Sequence, residues 1–228
     1  MSVVELKNCS YAPWGQGNGL APFSFSLERG EVAGVVADKN EDAHLFLRAL
    51  AALERPLSGE LYHNGQLADA SDYRRTLAYK RRVGYVASDS AVFSNRTLGE
   101  TLLFSAHYFG EVDASVIDPA IMALCGHFEI AGKLDLRPAQ AYEEDVRLTI
   151  LVRELAKNPD LFIIERPSMH LDHPSHMQVL ERLRELAALG LPLVLYTFNQ
   201  KLMNELATKI VRISCGALYV DERKSPAR

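Results

Sequence analysis

Side chains that commonly hold metals crowd one short stretch, where His170, Asp172, His173 and His176 fall within seven residues. Imidazoles and a carboxylate at such spacing suit zinc or another borderline metal. Helical geometry, however, carries positions 173 and 176 away from 170, so His173 and His176 read as flanking a helix start on a solvated face, and no metal is expected. A cationic cluster, Arg74, Arg75, Lys80, Arg81 and Arg82, precedes the apolar run Val83 to Val86. It reads as a solvated face, with contact to anionic lipid or a partner's acidic rim as the functional alternative. The third cluster is acidic. Between the apolar strand Glu31 to Val36 and a helix beginning near Ala43, the chain reads ADKNEDAHL. A loop that wraps a triphosphate needs glycines, a lysine and a Ser/Thr hydroxyl for magnesium. Ala37 to Leu45 supplies no glycine and no hydroxyl, and Asp38, Glu41 and Asp42 outnumber Lys39. Asp42 or Glu41 can cap the helix start and close an anion site with the chain's own carboxylates.

These clusters need a framework, and the composition supports one. At 228 residues, 48% hydrophobic and 24% charged, the chain can bury a core and fits one globular α/β unit. Cys9, Cys125 and Cys215 are odd in number and lack a CxxC spacing, which argues against a disulfide framework or zinc ribbon and for a reducing cytoplasm. A net charge of -4 gives no global attraction to nucleic acid or anionic lipid. The longest apolar runs are strand-length and the N-terminus lacks a signal pattern, so neither a membrane span nor a cleaved leader is expected.

Strand-like segments occur at 3–7, 23–27, 32–36, 61–62, 83–86, 161–164, 193–196 and 210–213, the last pairing across Gly216 with 217–220. Segments 161–164 and 193–196 are continuously apolar, as strands covered on both faces are. Between them Val179, Leu180, Leu183, Leu186 and Ala187 recur at helical spacing within 177–189, and Pro174 suits a first turn. From Leu98 to about Val152 only helices are expected, at 101–109, 116–128 and 144–156. The tail from Asp221, or at the latest 222–228, is expected to fray.

The order of these parts resembles the ATPase domain of ATP-binding-cassette (ABC) transporters. GEVAGVVADKNEDAHLFLRALAALERPLSGELYHNG, Gly30 to Gly65, is similar without a gap to that family's phosphate-loop segment, with Gly30, Gly34, Gly59 and Gly65 at framework positions. The resemblance spans roughly Val3 to Val220. It implies a P-loop-NTPase-like core of mostly parallel sheet plus an antiparallel β subdomain (1–94 and 153–221), with an inserted helical subdomain (about 95–152). It also implies site positions. Ala43 stands for the phosphate-loop lysine, His44 for the magnesium serine and Leu45 for the next hydroxyl. VGYVASDSAVFSNRTLGETLLF places Ser88 at the Q-loop glutamine, and Asp89, Ser90, Ala91, Val92 and Phe93 resemble the groove that receives a permease helix. Ala141 to Asp145 takes the place of the LSGGQ signature, its Glu143, Glu144 and Asp145 repelling phosphate but suiting a first helical turn. LFIIERPSMHLD resembles the Walker B strand and D-loop, with Glu165 at the magnesium-associated aspartate, Arg166 at the catalytic glutamate and Asp172 at the D-loop aspartate. Arginine stays cationic and is no general base. In LPLVLYTFNQ, Phe198 takes the place of the switch histidine. Tyr11 or Trp14 is the candidate for the aromatic that stacks on adenine, with Lys39 as a residual cation.

The resemblance therefore implies a catalytically inactive, pseudo-ATPase subunit, cytoplasmic or peripheral on the inner face of the cell membrane. It would have a structural or regulatory role beside a permease, an intact ATPase paralogue or a second copy of itself. No cofactor is expected beyond weak ATP. The alternatives are an ATP-binding subunit with residual binding or slow hydrolysis in a heterodimer, and a soluble interaction protein unrelated to transport.

Overall fold

Every residue of two strands, β7 (Leu161–Glu165) and β8 (Leu193–Tyr196), is buried, as continuous apolar runs flanked by helices require. The computed structural model describes residues 2–68, 72–108, 110 and 117–223. The other strands are β1 (Ser2–Tyr11), β2 (Leu20–Glu28), β3 (Val32–Ala37), β4 (Ser58–His63), β5 (Gln66–Leu67), β6 (Val83–Val86), β9 (Lys209–Ser214) and β10 (Ala217–Glu222). The helices are α1 (Asn40–Leu50), α2 (Tyr73–Arg81), α3 (Leu98–Tyr108), α4 (Pro119–His127), α5 (Glu143–Ala156), α6 (His173–Ala188) and α7 (Gln200–Leu206). A six-stranded sheet has the order β10-β9-β3-β8-β7-β6, and a four-stranded sheet the order β2-β1-β4-β5. In the larger sheet only β10 is antiparallel to its neighbour. Its register pairs Val86 with Ile164, Glu165 with Tyr196 and Val35 with Tyr196, so the carboxyl ends of β6, β7, β8 and β3 share one edge. That edge is where open α/β sheets place ligand sites.

Helix α1 lies between the two sheets. Its Ala43, Leu45, Phe46, Leu47, Ala49 and Leu50 are buried around much of its circumference, and Phe46 meets Phe23 and Phe25 at 5.9 and 5.2 Å. Edge-on rings of this kind fill the core between sheet and helix. The opposite face of the large sheet packs Leu148, Ile150 and Val152 of α5 and Val179 and Leu183 of α6.

Several elements differ from expectation for local reasons. Helix α1 starts at Asn40, not near Ala43, and its cap residue, Lys39, gives no side-chain cap; Asp42 and Glu41 are inside the helix. Helix α3 begins at Leu98 because Thr97 and Glu100 bond each other's backbone N–H groups, a reciprocal cap. Helix α4 begins at Pro119, capped by Asp118, while the expected positions 109 and 116 lie outside the described residues. Helix α6 begins at His173, four residues early, because Asp172 accepts from Ser175 N. Helix α2 was hidden by its charge: Asp72 caps it and Tyr79 donates to Leu50 O. In the same basic stretch Arg82 turns to Asp160. Helix α7, capped by Asn199, is too short to show a period. The tail is ordered to Arg223: Asp221 and Glu222 pair with Ile210 and Lys209, and Arg223 N bonds Thr208 O. Residues 224–228 lie outside the described residues.

Gly59 has φ +86°, and a Cβ there would stand 2.4 Å from Lys7 O and 2.5 Å from Asn8 O. Neither backbone atom has a flexible side chain's freedom to move. Gly59→Ala is therefore expected to lower stability by about 1–3 kcal/mol, read as a reduced urea midpoint with an unchanged slope.

Candidate functional site

Glu165 ends β7 with its side chain sealed from solvent. The Tyr85 hydroxyl donates to its Oε1 at 2.5 Å. At Oε2, Ser88 donates from both backbone N (3.0 Å) and Oγ (2.8 Å), and His44 Nδ1 lies 2.8 Å away. Burial pushes the carboxyl pKa up, but the hydrogen bonds from His44, Tyr85 and Ser88 outweigh it and hold the group down to about 2. Burial and the adjacent carboxylate push the Tyr85 phenol up, which keeps it a donor. Below this group, buried Arg147 donates to Ala87 O (2.5 Å) and Glu165 O (2.6 Å), tying α5 to the segment after β6 and to β7. Burial lowers the Arg147 pKa and Glu165 opposes that shift.

The start of α1 is closed in a similar way. Asp42 is 1% exposed and accepts from Asn18 N (2.7 Å) and Asn18 Nδ2 (3.0 Å), which pins the β1–β2 connection onto the helix start. Lys39 Nζ donates to Gln16 O (2.8 Å) and Asn18 Oδ1 (3.2 Å), and Ser214 Oγ donates to Asp38. At Gly17 a Cβ would lie 2.6 Å from Asp42 Oδ1, so only glycine lets the connection approach this closely.

A magnesium triphosphate does not fit these residues as arranged. Both oxygens of the Glu165 carboxylate already take strong donors, Asp42 adds a second buried acid at the start of α1, and Lys39 is spent on the β1–β2 connection. Ala43 is buried and its side chain offers no polar atom. Arg166 leaves the strand at φ 45°. Its N donates to Tyr196 O and its guanidinium lies 5.2 Å from the centre of the Phe198 ring. Phe198 is 67% exposed.

The other expected positions scatter. Tyr11, expected as a stacking candidate, is instead core: it is buried in β1 against Phe23. Trp14 is partly exposed, edge-on to His44 and beneath Arg48. His170 pairs with Glu143 (2.9 Å) and His176 with Ser168 (2.7 Å), while Asp172 caps α6. Among the described residues no group of three His, Cys, Asp or Glu could hold a metal. Asp145 is buried and paired with Lys133, while Tyr142 is exposed. Ala91, Val92 and Phe93 do line a groove of about 430 Å³ with Phe104 of α3. Ser90 lines a separate cavity beside Ser88 and Arg147, and Asp89 lines neither. Sequence reasoning missed Asn18, Tyr85, Arg147 and Tyr196. Arg147 alone carried a signal, as a lone cation on the apolar face of a helix.

The fold is that of the ATP-binding cassette of ABC transporters. A structure described as the ATP-binding subunit of an ABC transporter matches with TM-score 0.80 and 22% identity, over 97% of this chain and 90% of that one. A dimeric cassette in a post-hydrolysis state bound to ADP and Pi matches with TM-score 0.82 and 17% identity, over 98% and 100%. In sequence the chain is similar to cell division ATP-binding protein FtsE of Bacillus subtilis, 22% identical over 97% of both chains. It is also similar to methionine import ATP-binding protein MetN 2 of Salmonella typhimurium, 25% identical over 85% of this chain. It spans 57% of the MetN protein. No family model matches the chain.

The depressed Glu165 pKa makes its partners measurable. Stabilisation from this carboxylate is complete above the ordinary value of 4.5 and is lost as pH falls through about 2; it amounts to something on the order of 3 kcal/mol. Glu165→Gln is expected to cost roughly 3 kcal/mol at neutral pH. In denaturant titrations across pH the gap between variant and wild type should close between pH 4.5 and 2.

Proposed function

We propose that this chain is the cassette subunit of an ABC transporter-type complex, and that it serves as a docking body whose own nucleotide site does not turn over. The observation that carries this is the saturation of Glu165 by His44, Tyr85 and Ser88. Further support comes from Arg166, a cation where a base is required. On this reading, replacing a lysine and a hydroxyl by Ala43 and His44 forgoes charge-assisted hydrogen bonds of ~1.5–3 kcal/mol each, and Mg-ATP is expected to bind too weakly to fill the site in the cell. The groove at Phe93 and Phe104, whose rings lie 5.3 Å apart, is the surface offered to a permease helix. No helix among the described residues is long and apolar enough to cross a membrane, and the proposed location is cytoplasmic, peripheral on the inner face. We retain the division into a core (1–94, 153–221) and a helical subdomain (95–152), with α5 crossing the second boundary.

A second reading keeps the chain as an ATP-binding subunit, with residual binding or slow hydrolysis in a heterodimer. The relatives favour this one: FtsE and MetN are both named ATP-binding proteins, and nothing in that likeness speaks for lost activity. Trp14, still partly exposed beside α1, offers it a ring to stack on a base. Titration with a fluorescent ATP analogue, with and without magnesium, separates the two. The first predicts no saturation below about millimolar, and micromolar saturation establishes the second. Phe93→Asp with Phe104→Asp is expected to abolish co-purification with detergent-solubilised membrane partners while leaving the thermal midpoint within a few degrees. Co-purification that survives these changes contradicts the groove assignment.

A further inference from the structure

The carboxyl ends of α2 and α5 converge at the amino ends of β6 and β7, the edge of the large sheet opposite Glu165. Arg81 lies in the last turn of α2 and Arg82 caps it; Arg153 lies in the last turn of α5 and Lys157 caps that helix. Free carbonyls at a helix C-terminus favour cations, and here two such ends deliver theirs to one place. All four residues line a cavity of about 150 Å³ bounded also by α3 and α4. Ser105 adds a hydroxyl to the lining, and Leu102, Leu103 and Ile121 give it an apolar wall.

The neighbouring carboxylates hold these cations without matching their charge or using up their donors. Buried Glu154 takes Arg153 Nε at 2.9 Å and Lys157 Nζ at 2.5 Å, so one carboxylate serves two cations. Asp160 takes Arg82 through Nε (3.1 Å) and Nη2 (2.6 Å) and is shared with His63. Neither acid lines the cavity. Among the described residues, Nη1 and Nη2 of Arg153 and Nη1 of Arg82 carry no bond. Two bonds fix the frame: Lys157 Nζ also reaches Val83 O (3.4 Å), and Asp160 N donates to Arg82 O (2.7 Å). Like charges held side by side repel, and an anion between them removes that cost.

The donor set selects the anion. A carboxylate brings one charge and two coplanar oxygens, whereas a phosphate monoester brings three terminal oxygens and a charge of about −1.5 to −2 at neutral pH. Guanidinium forks match phosphate oxygens bidentately, and an ammonium and a hydroxyl add donors from other directions. We propose that this cavity binds a phosphate monoester, its oxygens taken by Arg82, Arg153, Lys157 and Ser105 and its carbon stem laid against Leu102, Leu103 and Ile121. The same chemistry serves a small soluble ester and a lipid headgroup. The site stands apart from Glu165 and does not depend on the reading of the nucleotide site.

Isothermal titration of the full chain with glycerol 3-phosphate, with chloride at matched ionic strength as the control, tests the soluble source. Flotation with phosphatidylcholine vesicles, with and without phosphatidic acid, tests the lipid. The expected result is saturation by glycerol 3-phosphate below about 1 mM, or flotation only where phosphatidic acid is present. Arg153→Gln removes two unbonded donors, and Ser105→Glu keeps every cation while placing a carboxylate in the cavity. Each should weaken the binding by roughly tenfold or more. Arg153 also lines the Phe93 groove and Ser105 does not, so Ser105→Glu reads this cavity alone, and it decides the matter if thermal melts show Arg153→Gln to be unfolded. Saturation by glycerol 3-phosphate without flotation assigns a soluble ester, and flotation without saturation assigns a headgroup; both sustain the site. Failure of both ligands to bind, or binding that Ser105→Glu leaves unchanged, overturns it.

Discussion

A carboxylate sealed inside a protein must be held by donors or give up its charge, and Glu165 is held by four. The rest of the site follows from that requirement. His44 must stay on the sheet side of α1, Ser88 must turn back toward β7, and Tyr85 must keep its proton. The same strand end anchors Arg147 through the Glu165 carbonyl, so α5 and the segment after β6 are tied to one point. The Glu165 carboxylate is the centre of a network made by Tyr85, Ser88 and His44.

The contrast between framework and site is a contrast in what each needs from its residues. Gly59 needs space against the backbone of Lys7 and Asn8, and Phe46 needs rings on the facing sheet. Substitutions there cost stability whatever the chain does. A phosphate loop serves only its ligand. At the start of α1, Asp42 and Asn18 bind each other and draw the β1–β2 connection down over the helix. These bonds fix the start of α1 against the β1–β2 connection. The fold is thereby complete on its own terms.

Much of this architecture was legible in the sequence. The continuous apolar runs of β7 and β8 and the 3.6-residue period of α6 fixed the parallel core, because burial on both faces leaves that imprint. Charge concealed α2, in which Thr76 and Tyr79 are the buried residues among the side chains described. Several residues of the candidate site could be named from the sequence, but their arrangement could not. Nothing in the spacing of His44, Tyr85, Ser88 and Glu165 says that they converge, since two strand ends, those of β6 and β7, and helix α1 bring them together. Asp42 looked like a cap and is instead a buried acceptor for Asn18, 24 residues away. Tyr11 looked like a stacking ring and is core, because its place in β1 turns it inward against Phe23. The histidine cluster dissolved into separate local bonds once α6 began at His173.

The proposed closed site requires that Glu165, with donors on both oxygens, does not take up a divalent cation. Electron paramagnetic resonance of Mn2+ in the presence of ATP tests it directly, because protein-bound manganese broadens and the free ion does not. The account predicts a spectrum unchanged by added protein up to about millimolar concentrations, for wild type and Glu165→Gln alike. Micromolar manganese binding by the wild type that Glu165→Gln abolishes would contradict it.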